Sequence, residues 1–161
     1  MNKKIFVIIL SWLLVVSWMA MIYSLSAETA EVSSETSGRI VRVICKYVEK
    51  DFENLSAEEQ FVIIERYQFF IRKTAHFTAY TILAMFIGNA ISMHIDKISL
   101  RLGIAFAGGV LYSVSDEIHQ KFVPGRSCEL RDVMIDSAGA ILGCIFLFIL
   151  FKIFQKKKRS I

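Results

Sequence analysis

The chain has 161 residues, of which 55% are hydrophobic, with one proline and a formal net charge of +4. At this length a single domain, residues 1–161, is expected, and so apolar a composition excludes a disordered chain. Long apolar runs also exclude a water-soluble fold, because so small a domain lacks the interior to bury them. The expected partner is a lipid bilayer rather than nucleic acid, since the basic residues form no aromatic-interleaved patch and five fall in the last ten positions.

Residues 5–25 contain no charge and are long enough to cross roughly 30 Å of hydrocarbon. A signal peptide is the rival reading, with Lys3 and Lys4 ahead of the run and Leu25, Ser26 and Ala27 as a loose cleavage site. The run exceeds the usual signal core, which favours an uncleaved anchor. In the segment 26–72, Ile40, Val43, Ile44, Tyr47 and Val48 repeat at helical spacing after the cap candidates Ser33, Ser34 and Ser37. Ser56 and Glu59 then have capping-box spacing at the start of a second helix that can run into the next span. Two short amphipathic helices, packed on the bundle or at the lipid interface, are expected there.

Further spans are predicted at 75–93, 98–115 and 134–154. The third is the weakest by pattern, with Arg101 placed to snorkel toward the interface. Gly139 and Gly143, Ala105 and Gly109, and Ala84 and Gly88 recur at the four-residue spacing that lets helix backbones approach in lipid. The predicted fold class is therefore all-α, a bundle of four transmembrane helices. Lys and Arg on one predicted side (Lys3, Lys4, Lys97, Arg101, Lys152, Lys156, Lys157, Lys158, Arg159) outnumber Lys121, Arg126 and Arg131 of the short loop opposite. The positive-inside bias puts both termini in the cytoplasm of a multi-pass cell-membrane protein, with 26–72 outside. Cys45, Cys128 and Cys144 have no metal-binding spacing and read as free, packed thiols, although Cys45 and Cys128 would share a side.

The polar residues gather at one end of the last three spans: Arg72, Lys73, His76 and Tyr80, then Asp116, Glu117, His119 and Gln120, then Arg126, Asp132 and Asp136. Ionisable groups at this density beside lipid must pair, face water or bind something. On helices, His76 shares a face with Tyr80, Tyr112 with Asp116 and Gln120, and Asp132 with Asp136.

Arg72, Lys73, His76, Phe77 and Tyr80, the run from Ser115 to Arg126, and Asp132, Asp136, Gly139 and Gly143 together resemble the motifs of the VanZ-like family, in order and at family spacing. The family often carries Asn where this chain has Asp136, so the resemblance does not imply a fixed charge there. It implies a four-span membrane protein related to a factor in teicoplanin-type glycopeptide resistance.

Three mechanisms fit these residues. The cluster can recognise a lipid-linked envelope precursor or a lipoglycopeptide at the outer leaflet, with Arg72, Lys73, Arg126 and Arg131 as anion contacts and the other polar residues around them. It can be an active site, with His76, Glu117 or His119 as acid or base, or with His76, His119, Asp116 and Glu117 around a divalent metal. It can also staple helix ends, with Arg126 paired to Asp116 or Asp132. Recognition ranks ahead of catalysis, because no nucleophile motif, phosphate loop or cofactor fingerprint is present.

Overall fold

The computed structural model describes residues 2–159, with side chains to Ile153; the side chains at 154, where the last predicted span ends, and of the basic run 156–159 are not among those described. Five α-helices follow in order: α1 Lys3–Ser26, α2 Ala30–Val48, α3 Ala57–Ile91, α4 Ile98–Gln120 and α5 Leu130–Arg159. One 3-10 turn, Phe52–Asn54, joins α2 to α3, and no strand occurs among the described residues.

The start of α3 follows the expected chemistry. Ser56 Oγ accepts from Glu59 N at 3.3 Å and Ser56 N donates to the Glu59 carboxylate at 2.9 Å, so two free amides of the first turn are satisfied. The helix then runs unbroken for 35 residues, which makes the expected second short helix and the 75–93 segment one rod. The cap of α2 differs from expectation. Thr29 accepts from Val32 N, while Ser37 lies inside the helix and donates back to Ser33 O at 2.7 Å.

The expected apolar stripe of α2 also divides. Val41 and Cys45 are buried with Phe52 and Ile64, whereas Ile40, Val43, Tyr47 and Val48 are exposed and Ile44 is half-buried. One neighbour, α3, covers only the narrow Val41–Cys45 line, and α2 carries more apolar residues than that contact can hide. All three cysteines are free.

α1, α4 and α5 are each long and apolar enough to cross a bilayer. The 75–93 segment falls outside that set, because His76, Asn89 and its hydroxyls dilute its hydropathy. It is nevertheless the centre of the packing, since α3 touches every other helix and buries Tyr80, Leu83, Ala84, Ile87 and Ala90 along this stretch. The indole of Trp18 on α1 donates to Ala79 O at 2.9 Å, and the Tyr112 hydroxyl on α4 donates to Met19 O at 2.6 Å. Both bonds tie α1 to the core through backbone carbonyls that helix geometry leaves with a spare lone pair.

The small-residue faces meet within one chain. A Cβ on Gly139 would collide with the Phe77 carbonyl of α3 and one on Gly143 with that of Thr81, while a Cβ on Gly109 would lie 3.1 Å from Ala140. Glycine therefore lets the α3 and α5 backbones touch, and Thr81 Oγ seals the contact by donating to Gly139 O at 2.9 Å. By contrast, a Cβ on Gly103 would meet nothing within 4 Å. Gly139→Val should accordingly lower the stability of the detergent-solubilised protein by about 1–3 kcal/mol or more through forced separation of the two backbones. Gly103→Ala should leave the thermal unfolding profile unchanged, and similar profiles for both variants would refute the packing argument.

Candidate functional site

A cavity of about 280 Å³ opens at one end of the bundle, enclosed by the C-terminal turns of α1, the N-terminal half of α2 and one face of α3. Ile22, Leu25, Ile40, Ile71, Ala75 and Ala79 give it an apolar wall. Arg72, His76, Tyr80, Arg126, Ser26 and Glu28 supply its polar groups. The expected sharing of a face by His76 and Tyr80 is thus realised, with both side chains on the cavity wall.

Arg126 reaches the cavity from the short connection after α4. Val123 O accepts from Arg126 N at 3.1 Å across Pro124 and Gly125, and Gly125 has φ +76°, the left-handed conformation that a type II turn requires at its third position. The turn docks beneath α2, where Ala30 N donates to Pro124 O at 3.2 Å. Arg126 then donates to Glu28 O at 2.9 Å and Leu25 O at 3.2 Å, placing a cation on the carbonyl end of α1. Burial and the neighbouring Arg72 charge lower the pKa of Arg126 from its usual value.

The sequence allowed an ion pair from Arg126 to Asp116 or Asp132. Neither forms: among the described residues no carboxylate lies within 4.0 Å of the Arg126 or the Arg72 guanidinium. Backbone carbonyls occupy Arg126, and Asp132 is held by Lys73 at 2.5 and 2.6 Å. Asp116 and Glu117 act on Arg126 only at longer range.

Behind the cavity the carboxylates are served by neutral donors. Asp136, fully buried, accepts from Ser113 Oγ at 2.7 Å and faces His76 Nδ1 at 3.5 Å. Asp116 accepts from Ser26 Oγ at 2.8 Å and from Gln120 Nε2 at 3.1 Å, and Glu117 accepts from Glu129 N at 2.9 Å at the start of α5. Each buried acid retains one oxygen without a hydrogen-bond partner, as does the Tyr80 hydroxyl.

His119 is separate. It lies against the Tyr23 ring of α1, centroids 4.5 Å apart, and does not line the cavity. Among the described residues no group of three or more His, Cys, Asp and Glu side chains is placed to hold a metal ion, so the four-residue metal reading loses its geometry. Asp116 and Glu117 are adjacent on α4 and point about 100° apart, one toward Ser26 and the other toward α5.

The sequence profile of the VanZ/LLP1 family matches residues 11–153. The chain belongs to the VanZ/LLP1 family. No curated protein and no solved structure matches it. The family match extends past the motifs at 72–143 to include most of α1 and all of α2, the two helices that close the cavity of this VanZ/LLP1 membrane protein.

Two participants carried no site signal in the sequence. Ser26 stood out only in the loose cleavage site that opens segment 26–72, and Ser113 was not singled out, although its position three residues before Asp116 puts it on the same side of a helix. The Lys73–Asp132 pair is mostly withdrawn from solvent, so Asp132→Ala should cost roughly 1–3 kcal/mol by stranding the ammonium. Adding Lys73→Met should recover most of that loss. Equal unfolding profiles for the single and double variants would show that the pair holds nothing together.

Proposed function

We propose that this VanZ/LLP1 protein recognises a lipid-linked or lipoglycopeptide molecule at the outer leaflet, in a role in teicoplanin-type glycopeptide resistance or cell-envelope physiology. The observation that carries the reading is the pairing of two guanidinium groups, Arg72 and Arg126, in one cavity with no carboxylate within ion-pair distance and an apolar wall beside them. Like charges held together disfavour each other, and an anionic group between them relieves the repulsion while offering bidentate contacts. The apolar wall suits the chain of an amphiphile. His76, Tyr80 and Ser26 then meet the polar part of the ligand, and Asp116, Glu117, Gln120, Asp132 and Asp136 hold the shell around it.

This reading includes four crossings, by α1, the C-terminal half of α3, α4 and α5, with both termini cytoplasmic and the cavity facing outward. The placement of Lys97 and Arg101 at the other end of the bundle supports it, as does the central burial of α3 from Tyr80 onward. A second reading, an enzyme acting on an envelope lipid or glycan precursor, is favoured by one observation: His76 faces the buried Asp136 at 3.5 Å.

Binding of teicoplanin and of farnesyl diphosphate to the full chain in nanodiscs tests recognition. Arg72→Ala and Arg126→Ala should each weaken at least one of these ligands about tenfold or more, roughly 1.4 kcal/mol, while the exposed Lys121→Ala does not. Failure of both probes to bind, or indifference to both arginines, would overturn it. Topology is tested by single cysteines at Lys3, Glu58 and Lys121 in a background lacking Cys45, Cys128 and Cys144. Impermeant thiol reagent applied outside should label the last two positions only; labelling at Lys121 only after permeabilisation would reverse the orientation.

A further inference from the structure

His76 differs from the other polar groups of the cavity in having a fully buried acid behind it. Its Nδ1 faces Asp136 at 3.5 Å, and Asp136 is itself fixed by the Ser113 hydroxyl at 2.7 Å on its other oxygen. A carboxylate at Nδ1 favours the tautomer that carries its proton there, leaving the Nε2 lone pair available to whatever occupies the cavity. The same carboxylate stabilises the imidazolium once Nε2 takes up a proton. A 3.5 Å separation is in the range from which such contacts tighten when a ligand fills a site.

We propose that the site is hydrolytic, with His76 as general base toward a water that attacks the terminal phosphorus of a lipid diphosphate held by Arg72 and Arg126. The proposal rests on the anionic-amphiphile reading and names its substrate class. The water oxygen forms a bond to the terminal phosphorus, and the bond from that phosphorus to the bridging oxygen breaks. The bridging oxygen departs with its electron pair on the lipid monophosphate, and the water proton passes to Nε2 of His76 and then to solvent. The products are inorganic phosphate and the lipid monophosphate. Water is the only co-reactant.

A single imidazole on the cavity wall suits an anhydride better than a simple ester. A phosphate monoester must expel an alkoxide, which needs a general acid to protonate it, whereas a diphosphate expels a phosphate anion that leaves unprotonated. One base with two guanidinium groups suffices for the second reaction. His119, the other histidine at this end, lies against Tyr23 outside the cavity and cannot serve as the acid. Arg72 and Arg126 also match the charge spread over the phosphoryl oxygens in the transition state. Asp136 and Ser113 are positioning residues, acting on the reaction through His76.

The test uses the full chain in nanodiscs with farnesyl diphosphate, measuring binding and phosphate release separately. Wild type should release phosphate. His76→Gln should lower kcat about a hundredfold or more while Kd for farnesyl diphosphate stays within about threefold, since glutamine keeps a hydrogen bond to the ligand and the two guanidinium groups still hold the anion. Retained binding by that variant also establishes that it is folded. Asp136→Asn, which keeps an oxygen acceptor for Nδ1, should lower kcat by less than His76→Gln and leave Kd unchanged. Binding that depends on Arg72 and Arg126 without phosphate release from wild type would overturn hydrolysis and leave recognition standing. No binding of farnesyl diphosphate would overturn hydrolysis, and recognition falls with it only where teicoplanin also fails to bind. Phosphate release that survives in His76→Gln would remove His76 from the chemistry.

Discussion

The contact of the α3 and α5 backbones at Gly139 and Gly143 determines how the rest of this bundle is arranged. Phe77 and Gly139 meet with no side chain between them, and the residues one position before Phe77 and three before Gly139 are His76 and Asp136. The imidazole and the buried carboxylate face one another because the helices that carry them are pressed together one turn further along. Thr81 Oγ, bonded to both Phe77 O and Gly139 O, fixes the register of that contact. A larger residue at 139 would therefore part the pair at the site as well as the helices, so packing and chemistry share one constraint.

Charge at the polar end is segregated by the kind of partner each group receives. Asp116, Glu117 and Asp136 take hydroxyl, amide or backbone donors, and Arg126 takes backbone carbonyls. Direct ion pairs at this end lie outside that set: Lys73 with Asp132 and Arg131 with Glu129. Neutral donors satisfy hydrogen-bonding capacity without cancelling charge, so the cations on the cavity wall keep their field for a ligand. Had Arg126 paired with Asp116 or Asp132, the same residues would have formed a closed staple with nothing left to attract an anion.

Much of the framework was legible in the sequence because it follows from local chemistry. The uncharged run of α1, the Ser56–Glu59 capping box and the i, i+4 sharing of faces by His76 with Tyr80 and by Asp116 with Gln120 depend on neighbours a turn away. Partner choice was not legible. Whether Arg126 meets a carboxylate or a carbonyl depends on where the end of α1 lies, more than ninety residues earlier, and nothing near position 126 encodes that. His119 was grouped with His76 by its depth along the chain, but its angle around α4 turns it to Tyr23. The cap of α2 was misplaced for a smaller reason: three serines at 33, 34 and 37 carry a strong cap signal, and Thr29 precedes them.

Access to the cavity follows from which helices surround it. α1 and α2 both pack on α3 but share little contact with each other, so the seam between them is the least closely packed part of the wall. Ile22 and Leu25 line that seam from α1 and Ile40 from α2, and the apolar face of α2 continues outward through Val43 and Tyr47. An amphiphile in the adjoining leaflet would find apolar surface all along this route, with the guanidinium groups only at its end. Its chain can thus remain in contact with lipid or apolar side chains while its anionic group advances, which spares the cost of drawing a long chain through water. A water-soluble anion has no comparable gain from the same path. The arrangement of α1 and α2 therefore favours ligands that carry both parts, independently of what His76 does to them.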